Sequence, residues 1–136
     1  MNASLTNELF WLAATIIMTS LFWMPYILNR MQEQGIGNAV YDPNGETDAI
    51  APWAKRMMKA HQNAVENLVL FAPLVLILHA QGMSTETTTT ACAVYFFSRA
   101  VHYVVFTFGI PVLRVVAFLT GFVCQIIIAL KILHII

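Results

Sequence analysis

The sequence predicts an all-α integral membrane protein, built as a bundle of four transmembrane helices. Hydrophobic residues make up 59% of its 136 residues, and charged residues only 10%. The mean hydropathy is +0.71, whereas a soluble domain carries about 25% charged residues. The apolar runs approach the roughly 20 residues that cross about 30 Å of hydrocarbon. We therefore expect one domain over residues 1–136, and the formal net charge of zero argues against nucleic acid as a partner.

The apolar runs predict four spans, separated by one sizeable loop. We expect the spans at about residues 5–28, 62–80, 87–108 and 111–135, and a cytoplasmic loop at 29–51. The first run lacks a positive n-region and a small-residue cleavage site, so it reads as a permanent span and not a signal peptide. Pro25 is expected to bend the far end of this span.

Proline and glycine punctuate the rest of the chain. Pro52 is well placed to open the helix of the second span, because a proline at the first helical position loses no hydrogen bond. Pro73 lies inside this helix and predicts a bend. Gly82 is expected to end the helix, and Ser84 or Thr85 to cap the next one.

A charged stripe precedes the second span in the segment KRMMKAHQNAVEN, residues 55–67. At about 100° per residue, Arg56, Lys59, Asn63 and Glu66 fall within a sector of about 80°, whereas His61 points elsewhere. Charges at the edge of a bilayer need partners or a water-filled cavity, which makes the stripe a candidate functional site. The alternative is structural: the cations reach to the membrane surface while Glu66 pairs with one of them.

The third span carries a second polar pattern. Tyr95, Arg99, His102 and Phe106 recur at i, i+4, i+7 and i+11, which places them on one helix face. An arginine within a span must face the bundle interior or a cavity. Arg114 lies in the first turn of the fourth span, where it is expected near the membrane surface.

The basic residues also predict the orientation in the membrane. Basic side chains flank the first and third connections and are missing from the second, so both flanked connections are expected in the cytoplasm and both termini outside. The polar groups then converge on the cytoplasmic side as a cationic cavity with one carboxylate. Such a cavity suits a flexible anionic ligand that also carries an ammonium group, with Glu66 available to bind the amine.

Other kinds of site find little support in the sequence. No serine or cysteine is paired by spacing with a histidine, and the four histidines are scattered without the spacing of metal ligands. We therefore expect no metal. Cys92 and Cys124 lie in apolar runs, where each reads as a small buried hydrophobic residue and not as half of a disulfide.

Two motifs resemble a known family. RMMKAHQNAVE at 56–66 and RAVH at 99–102, together with four spans and a long first loop, are similar to the membrane-associated proteins in eicosanoid and glutathione metabolism, the MAPEG family. The resemblance covers nearly the whole chain and is nearest to bacterial members that are like microsomal glutathione transferases. It implies a homotrimer in the bacterial inner membrane, with sites between subunits that bind glutathione as a co-substrate near the cytoplasmic face.

The resemblance also implies roles for individual residues. Arg114 matches the arginine that activates the thiol, and Tyr103 is a candidate to replace a missing tyrosine hydroxyl. The residues that the resemblance assigns to glutathione binding are Arg30, Arg56, Lys59, His61, Asn63, Glu66, Arg99 and His102, to which we add Tyr103. Three features depart from the family pattern: Phe106 stands where relatives have tyrosine, Lys59 replaces a more usual arginine, and the turn before Arg114 differs in length.

Three functions remain open at this point. The resemblance favours a glutathione transferase or peroxidase that takes a hydrophobic substrate from the bilayer, between the first and fourth spans. A non-catalytic scaffold or ligand-binding protein of the same fold is the second reading, and Phe106 supports it. The third is a small proton-coupled transporter, against which stand the cations around Glu66, because they should keep this carboxylate ionised.

Overall fold

The computed structural model describes residues 5–45 and 48–136, and these residues form helices and connecting segments without a strand. The helices in the described ranges are α1(Asn7–Leu21), α2(Met24–Gln34), α3(Ile36–Val40), α4(Pro52–Ala80), α5(Glu86–Thr107) and α6(Pro111–Ile132). Four of them are long, and α4 and α5 contact the most neighbours, since each packs against α1 and α6 as well as against the other.

The first span is broken near its middle and runs further than predicted. α1 ends at Leu21, and Pro25 lies in the first turn of α2, where its missing N–H cannot continue the hydrogen bonds of α1. The helix continues past the predicted span boundary at residue 28, to Gln34. The side chain of Asn29 donates to Glu33 at 2.8 Å one turn later, and no breaker occurs before Gly35, whose φ is 82°.

The predicted loop at 29–51 is correspondingly shorter and partly helical. It begins after Gln34 and includes the short helix α3. Glu33 accepts hydrogen bonds from the backbone N–H groups of Ile50 and Ala51, both at 2.9 Å. This carboxylate therefore ties the end of α2 to the residues that precede α4, and so closes the loop at its base.

The turns between the later helices follow the sequence signals closely. Pro52 opens α4, and Pro73 lies inside it without ending it. Gly82 follows α4 with a φ of 65°. Thr85, and not Ser84, caps α5 through a reciprocal pair of bonds with Thr88. α6 ends at Ile132, short of the predicted residue 135.

Three helical segments among the described residues are long and apolar enough to cross a membrane: residues 7–34, α4 and α6. α5 has the length but carries a run of four threonines together with Arg99 and His102, which lower its hydropathy. The membrane character of the chain is thus confirmed, whereas the fourth span stays a prediction.

The core forms where α4, α5 and α6 meet. Phe71 and Tyr95 stack with their ring centroids 3.7 Å apart, and Ile128 of α6 is fully buried in the same cluster. α5 and α6 approach closely at Gly121, where a Cβ atom would lie 3.1 Å from the Ser98 hydroxyl. This close approach brings the polar face of α5 against α6.

Candidate functional site

A buried arginine lies at the centre of the polar contacts between α4 and α5. Arg99 is 1% exposed, and its Nη2 donates to the side-chain oxygen of Asn63 and, at 3.3 Å, to Nδ1 of His102. Because a guanidinium has no acceptor, Nδ1 of His102 must accept this bond. The α5 pattern is confirmed here, since Tyr95, Arg99 and His102 are all buried.

Arg99 keeps two unused donors. Its Nε and Nη1 are buried and have no hydrogen-bond partner among the described residues. No described carboxylate forms an ion pair with it. A buried charge that lacks partners costs about 3 to 5 kcal/mol, so the burial of this guanidinium is only partly compensated in the single chain.

Amide side chains hold Asn63 in place. Asn67 donates through Nδ2 to the carbonyl oxygen of Asn63 at 2.8 Å and to its side-chain oxygen at 3.2 Å. Gln125 of α6 in turn donates to the carbonyl of Asn67 at 3.2 Å. We call Asn63, Asn67, Arg99, His102 and Gln125 the arginine cluster. The role of Gln125 was not predicted from the sequence, although a polar residue deep in an apolar span is a signal of such a buried contact.

Arg114 joins this region through an aromatic ring. Its guanidinium carbon lies 4.5 Å from the ring centroid of Phe106, in a cation–π contact. His102 also packs against this ring, in an edge-type contact with centroids 5.6 Å apart. Phe106 therefore contacts both Arg114 and His102 of the arginine cluster, near the end of α5 that leads into the turn before α6.

Arg56 contacts that turn from α4. Its Nε donates to the carbonyl of Thr107 at 2.9 Å, which satisfies one of the free carbonyls at the end of α5. Its guanidinium lies over Gly109, where a Cβ atom would be 3.3 Å from Nε. Arg56 thus has a structural contact at the edge of the site.

The charged stripe of α4 is divided between two environments. Arg56 and Asn63 are half-buried against α5, whereas Lys59 and Glu66 are exposed. The buried positions Ala60 and Ala64 mark the face of α4 that packs against the core. The stripe starts at the edge of this face, and its sector of about 80° carries its far side round to the outer surface of the helix. In the single chain the stripe is therefore not buried as one face, and its glutathione-binding role stays a prediction.

The exposed part of the stripe lines a separate cavity of about 770 Å³. Gln62 donates to Glu66 at 3.3 Å beside it. His61 also borders this cavity and shares a 2.7 Å hydrogen bond with the hydroxyl of Tyr26. The cavity contains charges of both signs: its polar lining residues are Tyr26, Asp48, Lys55, Lys59, His61, Gln62 and Glu66.

Two other predicted binding residues are already engaged within the chain. The hydroxyl of Tyr103 donates to the carbonyl of Phe22 at 2.8 Å, and the two rings stack at 3.8 Å. Phe22 lies at the break between α1 and α2, so Tyr103 supplies a donor to a carbonyl that a membrane would leave without water. Arg30 forms an ion pair with Asp42 of the loop.

A second buried charge occupies the other end of the bundle. Glu8 is 2% exposed and accepts hydrogen bonds from Ser84 at 2.7 and 2.9 Å, from Thr88 at 2.7 Å and from Thr89 at 3.0 Å. We call these four residues the glutamate cluster. The residues that the structure describes include no group of histidine, cysteine or acidic side chains that could hold a metal ion.

Comparison with known proteins gives one match. The model of the MAPEG family matches residues 9–134, nearly the whole chain. No curated protein and no solved structure matches the chain.

Proposed function

Since the chain belongs to the MAPEG family, an integral membrane family of glutathione and eicosanoid metabolism, we propose that it is a glutathione-dependent enzyme. It joins the glutathione thiolate to hydrophobic electrophiles or uses it to reduce lipid hydroperoxides. The observation that carries this proposal is the buried guanidinium of Arg99. It bonds to Asn63 and His102, but its Nε and Nη1 nitrogens have no hydrogen-bond partner among the described residues.

Glutathione supplies the charges that the site lacks. A carboxylate accepts two parallel bonds from a guanidinium, and such charge-assisted pairs are the strong ones. Arg99 and Asn63 would hold one carboxylate, while Glu66 would take the ammonium group. Lys59 and Glu66 face outwards from α4, so we propose that a neighbouring subunit of a homotrimer closes the site around them, and that Arg30 and His61 contribute from the same side.

Arg114 is the proposed catalytic residue. Only the thiolate of glutathione attacks, and a free thiol has a pKa of about 8.5. A guanidinium near the sulfur favours the thiolate, and each unit by which it lowers the thiol pKa corresponds to about 1.4 kcal/mol. Arg114 is half-buried and makes no side-chain hydrogen bond to a described residue, which leaves its donors available.

Neither reaction needs a reductant or co-substrate other than glutathione. In the transfer reaction, sulfur forms a bond to an electrophilic carbon, and a leaving group departs with its electron pair or a proton adds to the neighbouring atom. In the peroxidase reaction, sulfur attacks the terminal oxygen, the O–O bond breaks to release an alcohol, and a second glutathione reduces the sulfenic product to yield the disulfide and water. The hydrophobic substrate would enter from the bilayer between α1 and α6.

The test follows the ultraviolet absorbance of the thiolate when purified protein is mixed with glutathione at neutral pH. We expect a thiolate signal in the unmodified protein and its loss in Arg114→Ala, with glutathione binding retained. Lys131→Ala is the matched control, because it removes a cation from the other end of the same helix. A thiolate signal that survives Arg114→Ala would refute the catalytic role of Arg114.

A non-catalytic binding protein of the same fold is the second candidate. It is favoured by Phe106, which offers no hydroxyl to the ligand beside Arg114. Under this function, glutathione binds without a thiolate signal and no electrophile or hydroperoxide is consumed. A proton-coupled transporter is less favoured, because Glu66 is exposed beside Gln62 and a coupling carboxylate is expected inside the bundle.

A further inference from the structure

Phe106 is the residue that contacts both the proposed catalytic arginine and the arginine cluster. The guanidinium of Arg114 lies 4.5 Å from its centroid, and the imidazole of His102 packs against it at 5.6 Å and an interplanar angle of 68°. Nδ1 of the same imidazole accepts a hydrogen bond from Arg99 at 3.3 Å. A continuous series of contacts thus leads from the guanidinium of Arg99, which is only partly hydrogen-bonded, to that of Arg114.

Arg114 has no other directional contact within the described ranges. Its side chain forms neither an ion pair nor a hydrogen bond there, and the Arg30–Asp42 pair is the ion pair found among those residues. An arginine side chain has several rotatable bonds, so without a fixed contact its guanidinium would sample many positions at the start of α6. The ring of Phe106 is therefore the group that restricts it.

We infer that Phe106 is a positioning residue, whose ring face holds the Arg114 guanidinium beside His102 and Arg99. This inference rests on the proposed function. The negative face of an aromatic ring attracts a cation within about 6 Å of its centroid, and the attraction grows when water is excluded. Because the face and not a hydroxyl makes the contact, phenylalanine can fulfil this role where related proteins carry tyrosine.

The role can be separated from simple packing by changing the ring's charge distribution at nearly constant shape. Fluorine atoms on the ring withdraw electron density and cancel the negative face that binds a cation. We would therefore replace Phe106 with leucine, with tyrosine, and with a trifluorinated phenylalanine introduced by codon suppression. Phe108→Leu is the matched control, since that ring lies two residues later, at the C-cap of α5, and is 72% exposed.

Two measurements on the full-length protein in detergent report on the role. The first is the Nε–H chemical shift of Arg114 in protein with isotope-labelled arginine, assigned with Arg114→Lys; it needs no glutathione. The second is the ratio of thiolate to thiol in bound glutathione across a pH titration, measured together with the dissociation constant. The ring of Phe106 should shift the Arg114 signal upfield.

We expect Phe106→Leu and the fluorinated variant to lose this shift and to lower the thiolate ratio roughly tenfold, the scale of a partly desolvated cation–π contact. The dissociation constant should change much less, while Phe106→Tyr and Phe108→Leu should behave like the unmodified protein. The fluorinated variant keeps the packing, so it decides the matter if Phe106→Leu does not fold.

The inference is overturned if the fluorinated variant keeps the shift and the thiolate ratio, or if Phe108→Leu lowers the ratio equally. It is also overturned if Phe106→Tyr behaves like Phe106→Leu. Failure of the proposed function has a different signature, because the unmodified protein would then show no glutathione binding or no thiolate. The Arg114 chemical shift would in that case still decide whether Phe106 holds the guanidinium.

Discussion

The two ends of the bundle each bury a charged side chain, but they differ in how many of its hydrogen-bonding groups have a partner. At one end, Glu8 receives hydrogen bonds from the hydroxyls of Ser84, Thr88 and Thr89. About 16 Å further along α5, Arg99 bonds to Asn63 and His102 and still has Nε and Nη1 without a partner. Both residues are almost fully buried, so exposure does not explain the difference.

This difference suggests different roles for the two charges: Glu8 stabilises the fold, whereas Arg99 is available to bind a ligand. The glutamate cluster needs nothing from outside, because three hydroxyl donors replace the water that Glu8 loses on burial. The arginine cluster stays short of acceptors, and a ligand or a neighbouring subunit that brings a carboxylate would relieve that cost. We expect mutations at Glu8 to change stability and mutations at Arg99 to change binding.

The largest expected effect on stability comes from Glu8→Ala. Three hydroxyls would lose their acceptor in a water-poor environment, so we expect the free energy of unfolding to fall by about 3 kcal/mol. Unfolding in mixed detergent micelles, followed by circular dichroism, measures this change. Glu86→Ala removes an exposed carboxylate from the first turn of α5 and serves as control; an equal loss in both variants would contradict the structural role of Glu8.

Arg99→Leu should show the opposite behaviour. Replacement of an incompletely paired buried cation by an apolar side chain is often neutral or stabilising, so we expect no loss of unfolding free energy. The dissociation constant for glutathione should rise by about 100-fold, equivalent to about 2.7 kcal/mol. Calorimetric titration of the purified protein measures it.

Two results would contradict this distinction between the clusters. One is a destabilisation by Arg99→Leu as large as that of Glu8→Ala, which would make Arg99 a structural residue. The other is unchanged glutathione affinity, which would place the ligand elsewhere. Arg99→Lys is the informative companion variant, because it keeps the charge but cannot form the two parallel bonds of a guanidinium.

The smallest expected effect concerns Tyr103, which resembles Glu8 in having its partner within the chain. Tyr103→Phe removes one hydrogen bond to the Phe22 carbonyl and should lower the unfolding free energy by about 1 kcal/mol. The stacked ring remains, and glutathione affinity should not change. A clear loss of affinity at unchanged stability would instead support the ligand contact that the family resemblance suggested for this hydroxyl.

Local signals in the sequence predicted most helix boundaries. Pro52, Gly82 and Pro111 act on the backbone next to them: α4 begins at Pro52 and ends just before Gly82, and α6 begins at Pro111. The helix of the first span continues through a polar segment to Gln34, past the predicted boundary at residue 28, because tertiary contacts hold that segment. Glu33 bonds to the amides of residues far along the chain, which no local pattern reveals.

The candidate site could be predicted only where the spacing of residues along one helix determines which side chains are buried together. The spacing of Arg99 and His102 correctly indicated a buried face of α5, whereas the division of the α4 stripe depends on which neighbours α4 packs against. The partners of Glu8 lie 76 to 81 positions away in the sequence, so its burial could not be foreseen. The glutathione-binding roles themselves stay predictions that the variants above would test.

The carboxylate of Glu33 gives the loop before α4 a closed base. The described part of this loop, residues 35–45 and 48–49, can therefore be treated as a segment that tolerates a change of length. Loop-closure entropy rises slowly, by about 0.6 kcal/mol for each doubling of length. The exposed turn at Gly45, with its φ of 61°, is thus a suitable insertion point for an epitope or a fluorescent reporter that would reveal which side of the membrane the loop faces.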